Sequence, residues 1–196
     1  MKSFISGCVC LLLATLFLAI IPTEAEGAVY DDTVRLHILA NSDSEEDQAL
    51  KLKVRDEVLK RFSSEVKSTD TKSDAEKKIS LLLKDIEEFS QEVIISEGYS
   101  YSVKVTLGEE WYDTREYKDF TLPRGVYTSL KIIIGEGEGR NWWCVMFPPL
   151  CLDMATESAP RDDAIKKFSD EEISLISGRG YQIKFKILEM FSDAFS

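Results

Sequence analysis

The spacing of apolar residues changes along the chain from the two-residue period of a strand to the period of a helix. Val34, Leu36 and Ile38 alternate with Arg35 and His37, which predicts a strand with one buried face. Apolar residues then recur three or four positions apart, which predicts two amphipathic helices. The first helix carries Leu50, Val54, Val58 and Phe62, and the second carries Ala75, Ile79, Leu82, Leu83, Ile86, Phe89 and Val93 before it ends near Gly98.

Polar residues mark where both helices begin. Three serine–acid pairs have the spacing of a capping box, in which each side chain bonds an unpaired backbone N–H of the first turn. The pairs are Ser42 with Glu45 and Ser44 with Asp47 as alternatives for the first helix, and Ser73 with Glu76 for the second.

The strand period returns after residue 100. Further strands are predicted over 101–107, 126–134, 142–147 and 181–187, and one helix or two short ones over 164–176, closed by Gly178. Because helices cluster early and strands cluster late, we expect a single α+β domain. Its sheet is expected to be mixed or antiparallel, with two long N-terminal amphipathic helices.

The first 25 residues form a different kind of segment. An uncharged run over 4–21 follows Lys2 and ends at Pro22, with a small residue at Ala25 in a plausible cleavage position. This pattern predicts a signal peptide, and an uncleaved anchor is the alternative because the run is close to the length that spans a bilayer. The predicted divisions are a signal peptide over 1–25, a linker over 26–31 and an exported domain over 32–196.

Composition excludes several functions. The 196-residue chain has a net charge of -11, which argues against binding to nucleic acid or to an anionic membrane surface. Membrane contact is therefore expected only through the N-terminal segment. Because the chain has one histidine, His-rich metal sites and most histidine-based catalytic sets have almost nothing to work with. A carboxylate pair for hydrolysis stays open, because the chain has many acidic residues and nothing singles one pair out. We expect no catalytic residues, no metal and no cofactor.

Three short patterns resemble functional motifs but fit other interpretations better. The segment 135–139 alternates glycine with glutamate, lacks the ending of a phosphate loop, and is predicted to be a flexible hairpin connection. Asn41, Asp43 and Glu45 have the spacing of a calcium loop but lack its glycine and final glutamate, so a capping turn is predicted. His37 lies on the polar side of its strand and is predicted to be an ordinary sheet residue.

The segment 141–151 is the most unusual part of the sequence. Trp142 and Trp143 are adjacent on a predicted strand, so they should point to opposite faces, one in the core and one exposed or in a groove. A double proline then ends the strand. The segment is either a buried strand with free thiols or a turn that is closed by a disulfide and presents aromatic residues to a partner. We predict that Cys144 and Cys151 form this disulfide, since exported cysteines can pair.

Two long stretches of the chain resemble the signatures of one family. The first covers 35–44 and 47–56, and the second covers 141–152. Both are similar to sequences of the stage II sporulation protein R family, as are the glycine-rich loop and the lysine-containing strand near residue 185. The region 155–177 matches least well, as a variable insertion would.

The resemblance implies an exported signalling protein that is not an enzyme. Such proteins are made in the forespore and exported into the space between the forespore and mother-cell membranes. There they activate a membrane-embedded aspartic protease, which removes the pro-sequence from pro-sigma-E. We therefore expect this protease as the partner. A secreted hydrolase with an unrecognised carboxylate pair, or an envelope structural or adhesion module, would be the alternatives.

We expect the partner-binding surface to combine the turn over 40–43 with the segment 142–149. A capping turn needs only one or two polar residues, and this turn supplies more. A core strand likewise does not need two tryptophans before a double proline. The predicted contact residues are Ala40, Asn41, Ser42, Asp43, Trp142, Trp143, Phe147, Pro148 and Pro149.

Overall fold

A computed structural model describes residues 2–20, 24–117, 120–150 and 167–177 of the chain. Five helices and six strands lie within these described ranges. The helices are α1 (Lys2–Ile20), α2 (Glu24–Asp31), α3 (Glu45–Lys67), α4 (Lys72–Ser96) and α5 (Asp170–Ser177). The strands are β1 (Val34–Leu39), β2 (Val103–Tyr112), β3 (Arg115–Glu116), β4 (Thr121–Leu122), β5 (Gly125–Ile134) and β6 (Asn141–Phe147).

Four of these strands form one sheet in the order β2-β5-β1-β6. β1 pairs in parallel with β5 and antiparallel with β6, while β5 pairs antiparallel with β2. β3 and β4 form a separate antiparallel pair. The sheet is therefore mixed, and the expected α+β class with a mixed sheet is confirmed.

Helices α3 and α4 cover one face of this sheet. Their apolar stripes and one side of β1 share a core, in which Leu36, Ile38, Val54 and Ile79 are all buried. Burial of such a continuous apolar stripe contributes most of a helix's stability in a protein. The two long helices are not the first helices of the chain, since they follow α1, α2 and β1.

A second, smaller core covers the opposite face of the sheet. It contains Val29 of α2, Leu122 of β4, Tyr127 of β5 and Ile176 of α5. As a result β1 is buried on both faces, and the prediction of one buried face is wrong. The second layer comes from segments distant in sequence, which the alternation along β1 does not reveal.

The structure decides where the long helices begin. Ser44 caps α3, because its side chain accepts the Asp47 N–H at 3.2 Å. Thr71 caps α4 and accepts the Asp74 N–H at 3.2 Å, so the prediction of Ser73 as cap is wrong and Ser73 lies within the first turn. Gly98, with φ of 87°, follows α4 as expected for a helix end.

Residues 2–20 of the predicted targeting segment form α1, and the described side chains of α1 are exposed to solvent. Within the helical residues whose side chains are described, no stretch is both long and apolar enough to cross a membrane. Cleavage of this segment stays a prediction. The predicted strand over 181–187 and the part of the predicted helix before residue 167 lie outside the described residues.

Candidate functional site

The glycine-rich loop over 135–140 crosses the end of β1. β5 and β6, which it joins, are not neighbours, because β1 lies between them. β1 and β5 end at the same edge of the sheet, and β6 begins there with Asn141 beside Leu39. The prediction of a hairpin connection is therefore wrong: the loop passes over the turn that leads from β1 into α3.

Four hydrogen bonds join this loop to the turn over 40–43. The Gly139 and Glu138 N–H groups donate to the carbonyl oxygens of Ala40 at 3.0 Å and Asn41 at 3.2 Å. The Asn41 Oδ1 atom also accepts the Glu136 N–H at 3.1 Å. Asp43 Oδ1 accepts the Arg140 N–H at 2.6 Å. We call this contact the turn–loop junction.

Two glycines are needed for this close approach. Gly135 has φ of 59°, and a Cβ there would overlap the Asn41 side chain. A Cβ on Gly139 would overlap the backbone carbonyl of Ser42. Gly135 and Gly139 therefore allow the loop to pack closely against the turn, and the four hydrogen bonds of the junction hold it there.

The buried side chain of Asp47 ties the turn to α3. Asn41 Nδ2 donates to Asp47 Oδ2 at 2.8 Å, and Ser42 Oγ donates to the same oxygen at 2.6 Å. Burial raises the pKa of Asp47, but the hydrogen bonds from Ser42 and Asn41 outweigh it and hold that pKa below its ordinary value. The acidic group also lies at the positive end of the α3 dipole.

Lys51 links the loop to α3 from the other side. Its ammonium is buried and donates at 2.7 Å both to the Gln48 side-chain oxygen and to the Arg140 carbonyl. Burial, and secondarily the charge of Arg140, lowers the pKa of Lys51. The polar residues of the first signature segment thus bond the loop that leads into the second.

The two tryptophans of β6 point to opposite faces of the sheet, as predicted. Trp142 packs against the α3–α4 core, with the Arg55 guanidinium 4.9 Å from its ring centroid. Trp143 lies on the other face, between His37 at 5.5 Å and Arg115 at 3.8 Å. Both tryptophans are half-buried, and each is covered by an arginine, so neither is freely exposed.

The remaining predicted contact residues differ in burial. Ala40, Phe147 and Pro148 are buried, Pro149 is half-buried, and the Phe147–Pro148 peptide bond is cis. Asp43 is exposed beside the loop. The predicted set thus contains packing residues as well as accessible ones, and its assignment to partner binding stays a prediction.

Cys144 of the predicted disulfide is buried in β6. It is not among the free cysteines of the described chain, which are Cys8 and Cys10. Cys151 lies outside the described residues, so the pairing of Cys144 with Cys151 stays a prediction.

A polar network crosses the sheet on the face opposite α3 and α4. His37 Nδ1 lies 2.9 Å from Glu110 Oε2, and His37 Nε2 lies 2.9 Å from Asn141 Oδ1. Glu110 also accepts a hydrogen bond from Lys131 at 2.7 Å. We call these groups the His37 network, which comprises Glu110 and Tyr112 of β2, Ser129 and Lys131 of β5, His37 of β1 and Asn141 of β6.

Electrostatics within the network favour ionised Glu110. Burial raises the pKa of Glu110, but hydrogen bonds and charge from Lys131 and His37 outweigh it and hold the pKa below its ordinary value. Burial also raises the pKa of Tyr112, whose hydroxyl stays protonated. A shallow depression of about 100 Å³ opens beside Glu110 and Lys131.

Arg35 lies next to this network and is fully buried. Its guanidinium donates to the Tyr117 hydroxyl at 2.9 Å and to the Cys144 carbonyl at 3.3 Å. It also lies 4.2 Å from the ring centroid of Tyr112. The first signature segment therefore places two cationic or ionisable side chains, Arg35 and His37, inside the second layer.

Sequence reasoning missed the His37 network. Glu110 is 73 residues from His37, and Asn141 is 104 residues from it, so no local motif connects them. The feature of the sequence that could have indicated the network was the position of His37 on the polar side of β1. Among the described residues, no cluster of histidine, cysteine and acidic side chains forms a site for a metal ion.

The fold and the site define an α+β protein in which two distant signature segments form one bonded unit. The chain belongs to the stage II sporulation protein R family, whose model matches residues 30–157. It is 34% identical over 185 residues to stage II sporulation protein R of Bacillus subtilis (strain 168), covering 85% of this chain and 83% of that protein. No solved structure matches the chain. The suspected resemblance is confirmed, and the protein has a role in sporulation.

Proposed function

We propose that this protein is an exported signal that activates a membrane-embedded aspartic protease by binding to it. The activated protease then removes the pro-sequence from pro-sigma-E in the mother cell. In this proposal the chain is made in the forespore, acts in the space between the two sporulation membranes, and contributes no catalytic residue.

The observation that carries the proposal is the family membership over both signature segments. The pairing of β1 with β6 supports it, because it places these segments side by side in one sheet. The turn–loop junction also connects the first segment to the loop that leads into the second. Aromatic and arginine side chains, which are favoured anchors in protein interfaces, lie in or beside these segments as Trp142 with Arg55 and Trp143 with Arg115. The apolar N-terminal segment is consistent with export.

The proposal is tested by co-expression in a host that does not sporulate. The host produces the pro-sigma-E precursor together with this chain, the protease, or both. Cleavage of the precursor is expected only when both proteins are present. A protease variant that lacks one catalytic aspartate serves as the control and should give no cleavage.

Two results would contradict the proposal, and each favours a different alternative. Cleavage by this chain without active protease would identify it as a hydrolase. No cleavage with all three components, after the protease is shown to reach the membrane and this chain is shown to be exported, would remove the protease as partner and favour an envelope structural or adhesion module.

A further inference from the structure

The His37 network connects the interior of the sheet to the beginning of β6. Glu110 is on β2, His37 is on β1 and Asn141 is on β6, so two hydrogen bonds of His37 extend over the sheet. His37 is 5% exposed, and its ring is stacked on Trp143 with an interplanar angle of 27°. One buried ring thus contacts the first and third residues of β6.

Both ring nitrogens of His37 face oxygen atoms that accept hydrogen bonds. A protonated imidazole satisfies both, because it donates from Nδ1 to Glu110 and from Nε2 to Asn141. A neutral ring has only one N–H. If that ring keeps its bond to Glu110, the Asn141 amide must turn so that its nitrogen donates to Nε2. Loss of the His37 proton is therefore coupled to a rearrangement at the start of β6.

Charged and titratable groups surround His37 on every element that packs against it. β2 contributes Glu110 and Tyr112, and β5 contributes Lys131, which is paired with Glu110. Arg35 lies on the same strand, and Arg115 contacts the outer side of Trp143. Of these groups Glu110 alone is anionic and bonded to the ring, so it is the group that orients the ring through Nδ1.

We propose that His37 is a positioning residue that fixes Asn141 and Trp143, through its bonds to Glu110 and Asn141, for contact with the protease partner. The inference rests on the proposed function. It assigns control of this segment to a buried side chain that the sequence predicted to be an ordinary sheet residue. Asn141 is exposed and begins β6 directly after the turn–loop junction, so its side chain is placed to reach a partner.

The first test uses the fact that the chain has a single histidine. With ¹⁵N-labelled histidine, the full chain in detergent micelles gives one pair of ring signals, which report the hydrogen bonding of Nδ1 and Nε2 directly. At one fixed pH, Asn141→Leu is expected to shift the Nε2 signal, and His37→Gln is expected to shift the backbone amide signals of 141–143. Lys104→Gln should leave both sets of signals unchanged. Amide signals of 141–143 that stay unchanged in His37→Gln would overturn the proposal.

The second test measures activation of the protease in the co-expression assay. Asn141→Leu removes the acceptor for Nε2 at an exposed position, and we expect it to lower precursor cleavage roughly tenfold, as loss of one hydrogen bond would. Asn141→Asp keeps an acceptor for Nε2 and should restore cleavage. Lys104→Gln, which removes an exposed charge from β2 outside the network, is the matched control and should leave cleavage unchanged.

The outcomes separate the inference from the function on which it rests. Full cleavage by Asn141→Leu, or equal loss in Asn141→Leu and Asn141→Asp, would overturn the positioning role while the proposed function stands. If the unsubstituted chain gives no cleavage, the proposed function fails, and the amide signals of His37→Gln still decide whether His37 controls the geometry of 141–143.

Discussion

Asp47 is the residue at which the turn after β1 and the first turn of α3 are joined. Its carboxylate accepts side-chain hydrogen bonds from Asn41 and Ser42, while its N–H is capped by Ser44. Asn41 in turn bonds the Glu136 N–H of the loop. The turn has more polar residues than a helix cap needs. These bonds explain the excess, because Asn41 and Ser42 join the turn to α3 and to the loop.

The depressed pKa of Asp47 predicts how this residue affects stability with pH. A carboxyl group whose folded pKa is lowered contributes stability that is fully present above its unfolded value, and that contribution is lost as pH falls through the folded pKa. We expect Asp47→Asn to be less stable than the unsubstituted chain by about 1 kcal/mol at pH 7. The difference should shrink below about pH 4.

Urea unfolding of both proteins between pH 2.5 and pH 7 measures this difference. Asp70→Asn is a suitable control, because Asp70 lies in the turn between α3 and α4, away from the junction, and is exposed. A stability difference for Asp47→Asn that stays constant from pH 7 to pH 2.5 would show that its ionisation is not linked to folding.

The element on which the candidate site depends is the loop over 135–140. Its N–H groups bond the turn, and its glycines allow backbone and side-chain atoms of the turn to approach closely. Loops that carry function are commonly positioned by a rigid scaffold, and here the scaffold is the end of β1. A glycine-rich composition by itself is typical of a flexible segment. This loop is held by its hydrogen bonds to the turn, which the composition does not reveal.

Gly139→Ala tests whether the close approach of this loop is required. The added Cβ would overlap the Ser42 carbonyl, and we expect a loss of about 1–3 kcal/mol in unfolding free energy, as for overpacked sites. Gly108→Ala is the matched control, because its Cβ would meet no atom within 4 Å. Thermal unfolding that affects both variants equally would contradict the role assigned to Gly139.

The disulfide predicted between Cys144 of β6 and Cys151 concerns the segment that contains β6. A bridge over this short loop contributes roughly 2–3 kcal/mol in the chain-entropy model. Intact-mass measurement after alkylation, before and after reduction, should show two thiols of the exported domain that become reactive only on reduction. Alkylation of both in unreduced, folded protein would remove the bridge from the account of this segment.

At the scale of the whole molecule, two layers enclose a mixed sheet whose central strand β1 is buried on both faces. The junction, the tryptophans and the His37 network all meet where β1 and β6 lie side by side. This arrangement places the strands of the two family signatures side by side, so a partner that contacts this part of the molecule would encounter both.

Export is the whole-molecule property that we expect signalling to require. Leu12→Arg together with Leu16→Arg places two charges in the apolar segment, each costing roughly 2.5–3.5 kcal/mol at a membrane centre. The protein should then remain in the cytoplasm, and precursor cleavage should stop. Leu12→Ile with Leu16→Ile keeps the segment apolar and serves as the control. Fractionation together with precursor cleavage gives the result, and normal cleavage by a wholly cytoplasmic protein would refute the prediction.

The sequence by itself determined the elements that depend on neighbours along the chain. The period of apolar residues predicted β1, β6 and the buried stripes of α3 and α4, and it placed Trp142 and Trp143 on opposite faces. Such patterns are local, because the side-chain period of a strand or helix is a property of its own backbone. The long signature segments also determined the family.

Only the tertiary structure decided which elements became neighbours. The insertion of β1 between β5 and β6 turned an expected hairpin into a loop that crosses over β1, and the second layer buried Arg35 and His37. The bonds from His37 to Glu110 and Asn141 depend on that strand order, since their residues are far apart in sequence. Periodicity specifies which face of a strand is apolar, whereas strand order depends on the packing of the whole chain.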